Sequence, residues 1–139
     1  MVAEAEKYSI IHSVRDRIAW FEFWDNGITY IKLDDSITVE LEDAKRHLQI
    51  IHSQYNGKDK FKVLVDPGKY TNLSKDAREF SGRPESNALT IASAVMVRTL
   101  AHRILINFMI NFIKKQPMKM RMFDNKEKAI NWLLGQNPK

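Results

Sequence analysis

Short runs of β-branched and aromatic residues alternate along this chain with longer segments whose apolar residues recur every three or four positions, and this alternation constrains the fold more than any other feature. Tyr8 to Ser13, Arg17 to Trp24 and Ile28 to Leu33 read as three strands. Asp25-Asn26-Gly27 tolerates positive φ and predicts a hairpin between the second and third. Along the second strand Ile18, Trp20 and Glu22 share one face while Ala19, Phe21 and Phe23 share the other. Both faces are substantially apolar, so the sheet must be covered on part of each side.

Thr38 reads as the N-cap of a following helix, with Glu40, Glu42 and Asp43 placing negative charge where the helix dipole favours it. Leu41, Ala44, Leu48, Ile51 and Tyr55 form a stripe directed at the sheet, and Asn56-Gly57 stops the helix. Phe61 to Val65 is a buried strand ending in the turn Asp66-Pro67-Gly68. Ser74 caps a short helix through Phe80, and Ser81 to Asn87 is a loop. Leu89 to Val97 is the next strand, and Thr99 to Lys115 is the longest apolar helical segment. There Leu100, Ile104, Phe108 and Phe112 stack at spacings of four, while Ile106, Met109, Ile110 and Ile113 extend apolar surface around the cylinder. Pro117 ends this helix, Met118 to Phe123 is the last strand, and Asp124 with Glu127 resembles a capping box opening a helix to Leu134.

The order β-β-β-α-β-α-β-α-β-α predicts an α/β fold, a mixed sheet with helices packed on it. The sheet should be parallel where strands and helices alternate, with the N-terminal hairpin as an antiparallel addition. With 139 residues the chain fits one domain, residues 8–135, flanked by flexible ends at 1–7 and 136–139.

The chain has no cysteine, which excludes a disulfide framework, a thiolate nucleophile and thiolate zinc sites. Residues Met1 to Lys7 lack a basic segment followed by an apolar one, and Ile104 to Ile113 is too short and, with Asn107 and Asn111, too polar to span a bilayer. A cytoplasmic location and no transmembrane segment are expected. The net charge of +5 is uneven: residues 1–85 hold 13 basic and 15 acidic residues, residues 86–139 hold 9 basic and 2 acidic. No acid lies between Ser86 and Phe123. Such a field attracts phosphates, acidic lipids or an acidic protein without selecting among them. Lacking long like-charge runs and any RNA-recognition or zinc-finger signature, the chain is not expected to bind nucleic acid.

His47 and His52 are five apart on one predicted helix, about 140° around it, and cannot share a metal as an i, i+4 pair would. His12 and His102 are isolated, so no metal site is expected, and no cofactor is implied. Asp66 stands at the carboxyl end of a buried strand, where open α/β sheets place ligands; the plainer alternative is that it starts the turn by bonding its own backbone. Tyr70, Thr71 and Ser74 follow without a base nearby in sequence. Arg98, Thr99, His102 and Arg103 surround the start of the longest helix, the best small-anion site in the sequence, although the plainer account is Thr99 capping with solvated arginines. Phe108 and Phe112, with Met109, suit an apolar pocket or an interface between copies.

Asn56-Gly57-Lys58 before Lys62-Val63-Leu64-Val65-Asp66, then Ala77-Arg78-Glu79, the Asn107 to Phe112 helix, and Met122-Phe123-Asp124 with Glu127, Ala129 and Trp132-Leu133 resemble a bacterial STAS/SpoIIAA-like (STAS/SEC14-type) family of small proteins, over about residues 8 to 135. The resemblance implies helices on a mixed sheet, and a phosphorylation-switched protein-binding module in the wider superfamily, with lipid or apolar ligands in SEC14-like relatives. The regulatory members' Asp-Ser-Ser-Gly motif is absent: Thr71 and Ser74 occupy only its neighbourhood, beside Lys69 and Lys75. A phosphoryl group at Ser74 would still gain from a helix N-terminus. Three readings follow. The first is a non-enzymatic regulatory or protein-interaction module, homodimeric, using the long apolar helix and nearby basic residues. The second is a carrier of an apolar or amphiphilic small molecule. The third is an enzyme in which Asp66 works with His102 or Tyr70.

Overall fold

The computed structural model describes residues 8–137. The expected flexible ends therefore lie outside the described residues, apart from Gln136 and Asn137. Three antiparallel strands open the chain, β1 (Ile10–Arg15), β2 (Ala19–Trp24) and β3 (Ile28–Leu33). At the β2–β3 turn Gly27 has φ +89, and Asn26 Oδ1 accepts from the Ile28 N–H, as the Asp-Asn-Gly sequence predicts. β5 (Phe61–Asp66), β7 (Thr90–Met96) and β8 (Lys119–Phe123) add in parallel, giving the order β1-β2-β3-β5-β7-β8.

Two further strands, β4 (Thr38–Val39) and β6 (Asn72–Leu73), pair with each other in a separate two-residue ladder. Thr38 is therefore a ladder residue rather than a cap. Helix α1 (Leu41–His52) is capped at Glu40, whose N–H donates to Asp43 Oδ2. Likewise α4 (Lys126–Leu134) starts at Asn125 and not Asp124: Asn125 Oδ1 accepts from the Lys128 N–H. Between them lie α2 (Lys75–Ser81) and α3 (Leu100–Ile113).

The sheet is covered on both faces, as its two-sided apolar pattern requires. On one face Phe21, Phe23, Ile31, Leu33 and Val63 meet Ala44 and Ile51 of α1 and Ala77 of α2, while Val95 and Val97 meet Ile106 and Met109 of α3. On the other, Leu64, Ala92, Ala94 and Met96 meet Ala129, Ile130 and Leu133 of α4 alone. The alanines at 92, 94 and 129, each fully buried, let α4 lie close to the sheet.

A polar network fastens α1. The Asp16 side chain, 6% exposed, accepts from Arg46 Nε at 2.8 Å and contacts His47 Nε2 at 2.8 Å. Asp43 accepts from Arg17 at 2.7 Å and also from Arg46. Burial raises the carboxyl pKa of Asp16 and of Asp43, but hydrogen bonds outweigh it and hold both below the usual carboxylate range: from Arg46 and His47 onto Asp16, from Glu40 N–H, Arg46 and Arg17 onto Asp43. On His47 burial wins over Asp16 and lowers the pKa, which favours a neutral ring donating Nε2–H.

Candidate functional site

Helix α3 carries two apolar stripes, and the packing chooses between them. His102, Ile106, Met109 and Ile113 face the sheet and are buried. Leu100, Ile104, Phe108 and Phe112, the spacing-of-four series, point to solvent at 73, 63, 60 and 54% exposure. Phe108 and Phe112 stack with ring centroids 6.5 Å apart. At roughly 200 Å² for a free side chain of this size, the four leave roughly 500 Å² of apolar surface bare, near the upper end of patches found on monomers. Arg103 of the same helix, also exposed, borders a cleft shared with Arg121 of β8 and Lys128 of α4.

Both ends of this helix are tied down by polar contacts. At its start Thr99 Oγ1 accepts from the His102 N–H, and His102 Nδ1 accepts from the Arg98 N–H at 3.3 Å. The His102 ring is buried, and its Nε2 has no partner among the described residues. Arg98 donates from Nη2 to Asp66 Oδ1 at 2.6 Å and from Nε to the Pro67 carbonyl at 3.2 Å. At the far end Gln116 Nε2 donates to the Gly82 carbonyl at 2.7 Å, and Asn87 donates to Gln116 Oε1.

Asp66, at the carboxyl end of β5, is buried and does not bond its own turn as the plainer alternative held. Its carboxylate accepts from the Tyr30 hydroxyl at 2.7 Å and from Arg98, with Lys32 Nζ at 3.8 Å. The parallel register sets Lys32 directly beside Asp66, and Tyr30 two residues back on the same face. Burial, reinforced by the bond to Asp66, holds the Tyr30 phenol well above its ordinary pKa. Trp24 stacks on Tyr30 at 5.4 Å, and Lys126 of α4 caps the Tyr30 ring at 4.4 Å.

The structure thus brings Asp66, Arg98, Thr99 and His102 into one connected chain of contacts and leaves the other expected site residues elsewhere. Tyr70 is exposed at φ +62 with Lys69 Nζ 5.4 Å from its ring. Thr71 is buried and donates to the Asp34 carbonyl, and Ser74 Oγ accepts from the Ala77 N–H as the cap of α2. The Asp66 carboxylate faces Tyr30 and Arg98 rather than Tyr70 or His102, and the Arg98 guanidinium is held by Asp66 and Pro67 rather than turned toward the helix N-terminus. Sequence reading missed Tyr30 and Lys32, whose only signal was their parity on a strand beside β5. Among the described residues no group of three His, Asp or Glu stands close enough to hold a metal, and no helix is long and apolar enough to cross a membrane.

Besides the cleft that Arg103 borders, two hollows adjoin α3. One, of about 210 Å³, lies between α1, α3 and the sheet, walled mostly by apolar side chains including Ile31, Val63, Val95, Ile106 and Met109, with Ser93 among the few polar ones. The other is a groove between α2 and α3 lined by Lys75, Arg78, Glu79, Gly82, Phe108, Met109 and Phe112.

Comparison with known proteins agrees with this architecture. Residues 20–136 match the family described as "Domain of unknown function (DUF7793)", and the chain belongs to that family. No curated protein matches the sequence. Among solved structures the chain is similar to an uncharacterized protein of the DUF3478 family with a SpoIIAA-like fold from Shewanella loihica PV-4, at 15% identity and a TM-score of 0.55, covering 96% of this chain and 98% of that one. The fold is SpoIIAA-like, an α/β mixed sheet of six strands with four helices.

Proposed function

We propose that this DUF7793 member is a non-enzymatic interaction module that presents the outer face of α3 to another macromolecule. One observation carries the reading: Leu100, Ile104, Phe108 and Phe112 stand exposed on a helix whose opposite face is fully packed. Interfaces concentrate large apolar and aromatic residues of this kind, and a soluble chain gains nothing in folding from leaving them bare. The connected groups around Asp66 support the same reading, because carboxylate, phenol and guanidinium satisfy one another and leave no proton-transfer pair aimed at a cleft. Affinity capture with the full chain and with Phe108→Asp tests it. Retention of a binding species by the wild type alone is expected, and an identical retained set from both would refute it.

The hollow between α1, α3 and the sheet favours a second reading, in which the same domain carries a small apolar molecule. Its walls are too apolar to hold water firmly, and about 210 Å³ suits a compact ligand rather than an extended acyl chain. Native mass spectrometry after gentle purification decides this: a stoichiometric added mass supports the carrier, and a bare chain from repeated preparations opposes it.

A further inference from the structure

We infer that the occupant of the α3 face is an acidic amphipathic helix of a partner protein, seated with its apolar anchors along Phe108 and Phe112 in the groove beside α2; this rests on the interaction reading above. The groove, about 190 Å³, has room for apolar side chains projecting from a helix laid along α3. Phe108, Met109 and Phe112 line it from α3, and Lys75, Arg78, Glu79 and Gly82 line it from the α2 side. A Cβ at Gly82 would stand 2.8 Å from Phe112 Cδ1, so only glycine lets the Phe112 ring seat there undisturbed. From Leu100 to Phe112 the stripe runs about 18 Å, a little over three turns. A spacing-of-four row is the ridge that another helix interdigitates when the two cross at about −50°.

Charge selects the partner. The groove is rimmed by Lys75 and Arg78, and Lys114 and Lys115 follow the helix, while no acid occurs from Ser86 to Phe123. Glu79, the acid lining the groove, lies 3.9 Å from Lys75, so these two offset each other and Arg78 leaves the groove positive. A second copy fits poorly. A two-fold axis pairs this face with itself, so Arg78 and the lysines that follow the helix would meet a surface of the same sign. A planar lipid surface fits a concave groove less well than a helix does, and exposed Asn107 and Asn111 interrupt the apolar face.

Fluorescence anisotropy with the full chain tests the inference. The probe is a labelled helical peptide with Leu at i, i+3, i+4 and i+7 and Glu at the flanking positions, compared with a twin bearing Lys for every Glu. The Glu peptide should bind and weaken as salt rises, and the Lys twin should not bind. Phe108→Ala should weaken binding at least about tenfold, and Arg78→Glu should also weaken it, with circular dichroism unchanged for both variants. Equal binding of the two peptides, lost in Phe108→Ala, overturns the acidic assignment and leaves the interaction reading intact. Binding of neither peptide overturns the inference. A sedimentation mass of two chains that Phe108→Asp returns to one would then assign the face to a second copy, and retention on phosphatidylserine vesicles would assign it to lipid.

Discussion

Truncating one residue on each face of α3 separates what the helix does for folding from what it presents to solvent. Phe108 and Met109 are adjacent in sequence but 60% and 5% exposed. Burying a side chain of this size completely contributes ~1.5–3 kcal/mol. With only about two-fifths of its surface covered, Phe108→Ala should cost ~1 kcal/mol, including what its stacking on Phe112 adds. Met109→Ala removes a side chain packed with Val95, Val97 and Ile106 and enlarges the hollow it already borders, so it should cost ~2–4 kcal/mol. The difference of roughly 2 kcal/mol corresponds to about 1 M in urea midpoint at a slope of ~2 kcal/mol/M, with the slope unchanged between variants. Urea titration followed by far-ultraviolet circular dichroism measures both. Equal losses for the two variants, or a midpoint that rises with protein concentration, would mean the Phe108 face is covered in the free protein, and the argument for a bare docking face would fail.

The Asp16 and Asp43 carboxyls titrate below their unfolded values, so their stabilisation is present above about pH 4 and drains away as pH falls through the depressed native values. Wild-type stability should therefore drop below about pH 4. Asp16→Asn, expected to cost ~1–3 kcal/mol at pH 7, should show a shallower decline, and parallel curves would contradict the network's role. Asp66→Ala leaves the Tyr30 hydroxyl and Arg98 without their acceptor and should cost ~2–3 kcal/mol. In that variant ultraviolet titration should find one phenol ionising at lower pH than in the wild type, while burial keeps it above the ordinary range. Gly68→Ala would bring a Cβ to 2.5 Å from the Asp34 backbone and should destabilise by ~2 kcal/mol or more. Gly135→Ala meets nothing closer than 3.6 Å and should be neutral in the same thermal melt.

Elements whose signal is local were readable in the sequence. The β2–β3 hairpin announced itself through Asp25-Asn26-Gly27, and β5 and β7 through compact β-branched runs. The β4–β6 ladder was not readable, because two residues carry no period; its pairing also takes Thr38 out of the capping position and passes that role to Glu40. Periodicity revealed that α3 is apolar around most of its circumference but could not say which stripe is inside. That choice depends on Val95 and Val97 receiving Ile106 and Met109, a contact made only in three dimensions. Arg46 meets Asp16 across thirty positions and Tyr30 meets Asp66 across thirty-six. No spacing rule links such residues before the sheet register is known.

The attachments of α3 bear on how its exposed face can be used. Asp66 holds Arg98 at the start of the helix, and Arg98 is bonded through its N–H to His102 one turn on. Gln116 and Asn87 fasten the other end to the loop after α2. None of these contacts involves Leu100, Ile104, Phe108 or the Phe108-facing side of the groove, so the helix is fixed without covering the stripe. A helix held in this way binds without first losing backbone freedom, which lowers the ordering cost of association. It follows that Arg98→Ala, which removes the side-chain links to Asp66 and Pro67 while leaving every stripe residue in place, should weaken binding of the Glu peptide by raising that cost. Phe108→Ala should weaken it by removing contact. Hydrogen exchange distinguishes the two causes: faster exchange in the first turns of α3 is expected for Arg98→Ala and not for Phe108→Ala, and unchanged protection in Arg98→Ala would show that the Asp66 link does not rigidify the helix.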